Sequence, residues 1–290
     1  MNEIVDRKDR HVDAVLSGTV NAYRVTTGFE RFRFEHCALP ELDLDAIDLS
    51  SRFLGFELEA PLLISSMTGG PARAQKINAI LAEAAETLGI ALAVGSQRVA
   101  LETGDSPGLD RRLRQRAPST PIFANIGAAQ LNKGYGIDEL QRAIEMIDAN
   151  ALILHLNPLQ EALQKNGDRN WAGLCAKIEE ACEALEVSVI VKEVGFGISA
   201  RVARQLADLG VAAIDVAGAG GTSWSAVEGA LSDDPATRRL ADIYRDWGIP
   251  TAQAIAAAHL ACPDTPMIGS GGVRSGLDVA KAIRLGADLV

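Results

Sequence analysis

A (β/α)8 barrel with an N-terminal extension is the fold that this 290-residue sequence predicts, and three observations point to it. From Ala60 onward, short apolar runs alternate with amphipathic stretches, the signature of a parallel sheet built from βα units. Eight such runs begin between Pro61 and Ala287 at an average spacing of roughly 32 residues, the size of one βα repeat, and eight repeats favour a closed barrel over an open sheet. Polar and glycine residues gather at the C-terminal ends of those runs, where barrels build their sites.

Residues 1–60 precede the first strand and form a unit of their own. They open on the charged stretch MNEIVDRKDRHVD and continue into an alternating region, 29–49, suited to a small hairpin or cap, so they read as an extension packed over the barrel. The barrel itself is 61–290. Its strands start at Pro61 (PLLIS), Gly89 (GIALAVG), Pro121 (PIFANIG), Ala151 (ALILHLN), Ser188 (SVIVKEV), Ala212 (AAIDVAG), Pro266 (PMIGSGG) and Ala287 (ADLV). Helical patterns at 74–88, 138–149, 171–185, 199–209 and 275–285 lie between them. Several of these run into Gly89, Gly210 or Gly286, where glycine accepts the left-handed cap at low cost. The chain stops at Val290, so a barrel truncated in its eighth strand is expected.

Composition excludes several classes. With 48% hydrophobic and 23% charged residues the chain can build a large core and is not disordered. A net charge of −10 without a Lys/Arg stripe lacks the footprint of a nucleic-acid binder, so any phosphorylated ligand must be gripped locally. Four separated cysteines, Cys37, Cys175, Cys182 and Cys262, offer neither CxxC spacing nor metal-ligand company. The charged N-terminus and the absence of a run of about 18 apolar residues predict a cytoplasmic protein without a membrane span.

Two glycine loops follow the late strands, GAGGTS at 218–223 and GSGGVRSG at 269–276. Without a Cβ, their backbone N–H groups can close around a phosphate beside a helix N-terminus; tight turns are the plainer alternative. On adjacent late strands the pair matches the phosphate site of phosphate-binding barrels. Lys192 emerges from the apolar run VIVK into the barrel mouth, where its cation suits a flavin ring that gains negative charge on reduction. A structural pair with Glu193 or Asp215, or Schiff-base chemistry, are the other readings. Just beyond strand four, LHLNPLQE brings His155, Asn157, Gln160 and Glu161 together, and Glu161 suits a hard cation such as Mg2+. Arg7, Lys8, Arg10 and His11 form a basic cluster that a solvated charge run would also explain, and Arg98 adds a cation whose fork fits phosphate.

With these residues in place, the sequence resembles the type 2, FMN-dependent isopentenyl-diphosphate isomerases. RKDRH at 7–11, SSMTGG at 65–70, GSQR at 95–98, ANIG at 124–127, HLNPLQE at 155–161, VKEVG at 191–195, DVAGAGGTSW at 215–224 and GSGGVRSG at 269–276 carry the likeness in order across nearly the whole chain. The resemblance implies that Ser66, Met67, Thr68, Ser96, Asn125, Lys192, Thr222, Gly271 and Gly272 hold FMN. It implies that Arg7, Lys8, Ser96, Gln97, Arg98, His155, Asn157 and Gln160 face the substrate, that Gln160, Lys192 and His155 are catalytic, and that Glu161 holds Mg2+ against the diphosphate. A further FMN contact of the family, after strand eight, has no counterpart in this chain. The implied reaction is the reversible conversion of isopentenyl to dimethylallyl diphosphate in isoprenoid biosynthesis, by proton transfer that uses reduced FMN, with NAD(P)H serving only to reduce the flavin. The resemblance also favours a homo-oligomer.

Two rival readings stand beside it. An FMN oxidoreductase of the same barrel class would consume its reductant stoichiometrically, and a catalytically inert flavin or diphosphate binder would bind without turnover. A purine-nucleotide barrel is disfavoured, because Gly220-Gly221 is followed by Thr222-Ser223-Trp224 and not by a nucleophilic cysteine.

Overall fold

The computed structural model describes residues 2–66, 72–104 and 108–290, with side chains from residue 8 in the first helix and from residue 74 in the second. The chain opens with helix α1 (Asn2–Leu16), then two short 3-10 turns, and the antiparallel hairpin β1 (Ser51–Phe53) and β2 (Phe56–Leu58). Then come β3 (Leu63–Ile64), α2 (Ala72–Leu88), β4 (Ala91–Ala93), α3 (Arg98–Thr103), α4 (Arg111–Arg116), β5 (Ile122–Gly127), α5 (Ile137–Ile147) and β6 (Ala151–His155). The second half holds α6 (Pro158–Leu163), α7 (Leu174–Ala184), β7 (Ser188–Lys192), α8 (Ala200–Asp208), β8 (Ala213–Asp215), α9 (Trp224–Leu231), α10 (Pro235–Ile243), α11 (Thr251–Ala261), β9 (Met267–Ile268) and α12 (Gly276–Arg284).

The seven strands β3 to β9 pair in sequence order, every neighbour parallel, and the predicted strand starts fall within two residues of the observed ones. Helices cover the outside while side chains fill the inside, so β5 is buried at every position, as a barrel strand covered on both faces must be. The last residues act as the eighth strand. Gly269 N–H donates to the Leu289 carbonyl (2.8 Å), Leu63 N–H to Val290 (2.8 Å), and Val290 N–H to Pro61 (3.0 Å). Residues 288–290 therefore join β9 to β3 and close the ring.

The extension corrects part of the expectation. No hairpin forms at 29–49; this stretch is extended and largely exposed, with a 3-10 turn at Leu44–Ala46 whose start is capped by Asp43. Its alternating Leu42, Leu44, Ile47 and Leu49 find no strand partner and face outward. The hairpin lies one step later, in β1 and β2, where Phe53 and Leu58 plug the barrel floor against Ala91, Phe123, Ala151 and Ala213 at the N-terminal ends of the strands. Nor is the charged opening a solvated run: it forms α1, which packs on α9 through Ala14, Val15, Ala226 and Leu231. The chain then straps across the opposite mouth. Asn21 bridges Thr222, Ala22 N–H donates to the Gly221 carbonyl (2.9 Å), and Ala252 N–H donates to Thr27 (2.9 Å). Among the described residues no helix is long and apolar enough to cross a membrane.

Candidate functional site

A cavity of about 1470 Å³ occupies the C-terminal mouth of the barrel, roofed by α1. Lys8, Ser66, Ser96, Arg98, Asn125, His155, Asn157, Gln160, Glu161, Lys192 and Thr222 all line it, so eleven of the site residues inferred from sequence converge here. Met67 and Thr68 lie outside the described residues, and Arg7 sits in α1 with its side chain outside them too.

The deep wall is built by β5, β6 and β7. Asn125 Nδ2 donates to the Val94 carbonyl (3.0 Å), which turns its Oδ1 toward His155 Nδ1 at 2.7 Å. An amide oxygen only accepts, so His155 carries its proton on Nδ1 and presents Nε2 as a lone pair. Burial, with the nearby charges of Lys192 and Lys8, pulls the His155 pKa down to about 3, so the ring is neutral near pH 7.

Strand register sets Lys192 between His155 and Asp215. It is 3% exposed, and its ammonium donates to the Glu193 carbonyl at 2.5 Å. Two carboxyls flank it. Glu193 Oε2 accepts three successive N–H groups, from Val194 (2.7 Å), Gly195 (2.8 Å) and Phe196 (2.5 Å), yet burial pushes its pKa up to about 7. Asp215 is fully buried and likewise raised by burial, against the pull of Lys192 and the Ser270 hydroxyl. Lys192 faces the cavity, and its partner is the backbone carbonyl of Glu193; among the described residues it makes no ion pair with either carboxyl.

On the outer wall a chain of polar side chains runs from α6 to α9 and α1. Asn157 Nδ2 donates to Gln160 Oε1 and Glu161 Oε1, both at 3.0 Å, and Gln160 Nε2 donates to Glu228 Oε1 at 2.8 Å. His11 Nε2 stands 3.3 Å from the same Glu228 oxygen, with its ring edge-on to Trp224. Lys8 Nζ donates to the Ser96 carbonyl (3.1 Å) and Arg98 pairs with Glu102 (2.8 Å) and Asp168 (3.1 Å).

Three inferred residues are not brought to the cavity. Gln97 is fully buried, its Nε2 donating to Ala143 O (2.8 Å) and its Oε1 accepting from Asn125 N–H (3.0 Å). It holds the wall and touches nothing in the cavity. Gly271 and Gly272 have φ of +112° and +69°, and a Cβ on Gly271 would sit 2.3 Å from the Gly218 carbonyl oxygen. The two glycine loops thus pack back to back, and close approach explains these glycines directly. Glu228 was not anticipated. Its signal was a lone carboxylate inside the apolar helical run WSAVEGAL.

The donors present fit FMN. Ser66 Oγ is buried in the cavity wall with no protein partner, and Ser96, Asn125, Lys192 and Thr222 face the same space. A divalent cation would find one carboxylate, Glu161, beside the unpartnered buried Asn157 Oδ1; the described residues hold no cluster of three or more His, Cys, Asp or Glu. That sparse set suits Mg2+, which takes its other ligands from phosphates and water.

A family model described as FMN-dependent dehydrogenase matches residues 99–290. A protein of Xanthobacter autotrophicus named isopentenyl-diphosphate delta-isomerase is 62% identical over 284 residues, covering 98% of this chain and 82% of its own. Another of that name, from Stutzerimonas stutzeri, is 61% identical over 287 residues, covering 99% of this chain and 83% of its own. Among solved structures, a Pediococcus acidilactici protein described as a lactate oxidase superposes with TM-score 0.63 at 16% identity, over 98% of this chain and 80% of that one. A mandelate oxidase variant with an FMN adduct gives 0.59 at 15% identity, over 91% and 74%. At such identities these two speak for the barrel fold alone.

Proposed function

The chain belongs to the type 2, FMN-dependent isopentenyl-diphosphate delta-isomerases, and from that premise we propose how its residues divide the work. The reaction moves a carbon–carbon double bond within one molecule, so a proton must arrive at one carbon and leave another. Reduced FMN, when bound, supplies the proton carrier, and NAD(P)H supplies the electrons that keep it reduced.

The observation that carries this reading is the convergence of Ser66, Ser96, Asn125, Lys192 and Thr222 with Lys8, Arg98 and Glu161 on one cavity at the barrel mouth. A neutral His155 can donate and accept hydrogen bonds, and Lys192 would balance negative charge on the reduced cofactor. Ser66, Ser96, Asn125 and Thr222 orient that cofactor, with Met67 and Thr68 completing its site. Arg98, Lys8 and Arg7 take the diphosphate, and Glu161 holds Mg2+ against it. Asn157 and Gln160 orient the substrate, with Gln160 fixed by Glu228. Remote binding energy then places the alkene while α1 excludes water. In this reading the extension, residues 1–60, supplies substrate contacts to the barrel of 61–290. The exposed Leu39, Leu42, Leu44 and Leu49 suit contact with another copy in a homo-oligomer, and a charged diphosphate substrate suits the cytoplasm.

An anaerobic assay tests this: FMN, Mg2+, a catalytic amount of reductant and isopentenyl diphosphate in D2O, followed by NMR. Deuterium in the allylic product without matching loss of reductant supports isomerisation by proton transfer. Reductant loss equal to turnover would favour the oxidoreductase reading, and binding without turnover the inert one.

A further inference from the structure

Asp168 lies in the loop between α6 and α7, 3% exposed, and does not line the cavity. Its side chain is nevertheless fully committed. Oδ2 accepts from Arg98 Nη1 (3.1 Å) and Gln130 Nε2 (2.9 Å), and Oδ1 meets Lys133 Nζ at 2.6 Å. Its backbone is committed as well. The N–H donates to Glu161 Oε2 at 2.6 Å, and the carbonyl accepts from Trp171 Nε1 at 3.1 Å. The preceding Gly167 lets the loop lie this close, because a Cβ there would stand 2.0 Å from the Glu161 carbonyl oxygen.

We propose that Asp168 is a positioning residue for the isomerisation, one that fixes Arg98 by its carboxylate and Glu161 by its N–H, and so sets the spacing between the diphosphate's cation and its metal ligand. The assignment rests on the roles given to Arg98 and Glu161 above. Those two come from different parts of the ring, the end of the second barrel strand and the helix after the fourth, and Asp168 bonds directly to both. Arg98 is a long, flexible side chain. With Nε held by Glu102 and Nη1 by Asp168, its Nη2 makes no hydrogen bond among the described residues and is left for an anion. Glu161 is treated the same way: Asn157 takes Oε1 and Asp168 takes Oε2, which pins the carboxylate plane. Lys133 offsets the charge that Asp168 would otherwise set near a polyanion. Outer partners of this kind typically carry about 10–100-fold of metal affinity.

The test is Asp168→Asn in the FMN-loaded full chain. Calorimetry with inorganic diphosphate and Mg2+ is expected to show affinity lowered about tenfold, and the Mg2+ concentration for half-maximal rate raised by a similar factor. KM should rise by about that factor with kcat changed less than about threefold, while flavin content and melting temperature hold. A merely structural role would move the last two and spare the Mg2+ requirement. Unchanged diphosphate affinity and Mg2+ requirement in flavin-loaded D168N overturn the proposal, provided Arg98→Ala and Glu161→Gln do shift them. If those two variants are silent, the site reading itself falls and this assignment with it. Should D168N fail to hold flavin, Gln130→Met decides: it removes one donor to Asp168 and leaves the ion pairs. A smaller shift in the same direction supports the proposal, and no shift overturns it.

Discussion

Lys192 has almost no water around it, so its charge is balanced by what the protein and its ligand place beside it. Lys192→Ala should weaken flavin retention by about tenfold or more, since a charged hydrogen bond contributes about 1.5–3 kcal/mol; the flavin lost on gel filtration reads this directly. Two neighbours predict opposite responses to pH. His155 is held near 3 against an ordinary 6.5, so between those values the unfolded chain binds a proton that the folded chain refuses. That contribution is intact above 6.5 and is lost as pH falls toward 3. Glu193 is raised from 4.5 to about 7, so its contribution is intact below 4.5 and is lost as pH rises through 7. Urea midpoints against pH should flatten on the acid side in His155→Asn and near neutrality in Glu193→Gln. Lys192 was legible in sequence because a lysine ending an apolar strand has one way out, into the mouth. Gln97 was not, because its direction is set by the Ala143 carbonyl on α5, a partner 46 residues away.

Elements with a strong period were readable and those without one were not. The parallel strands and the helices α2, α5, α7, α8 and α12 follow from apolar spacing and glycine stops. Helix α1 escaped because its apolar face is narrow and its charges dominate, and it is held by distant partners such as the Leu231 carbonyl, which accepts from Arg10. The strap behind it depends on glycines of another element. A Cβ on Gly220, at φ +119°, would stand 2.1 Å from Thr27 N. Gly220→Ala should therefore lift the strap from the β8 loop and cost about 1–3 kcal/mol, seen as a lowered melting temperature.

For the whole molecule, closure depends on three residues. Removing 288–290 deletes the bonds from Leu63 and Gly269 and the one to Pro61, leaving β3 and β9 as open edges. At about 1 kcal/mol each, with buried Leu289 lost as well, several kcal/mol of stability should disappear from denaturant unfolding. The repeat count made a closed barrel legible, and the bonds that close it were not, because they join Pro61 and Leu63 to Val290, far along the chain. The strap has the same character, and its consequence concerns birth on the ribosome. Asn21 is translated long before Thr222, and at about 5–20 residues per second the strap waits on the order of tens of seconds for the surface it will bind. Through that interval the strap has no native seat, and Val20, which the folded chain buries, stays open to a nascent-chain chaperone.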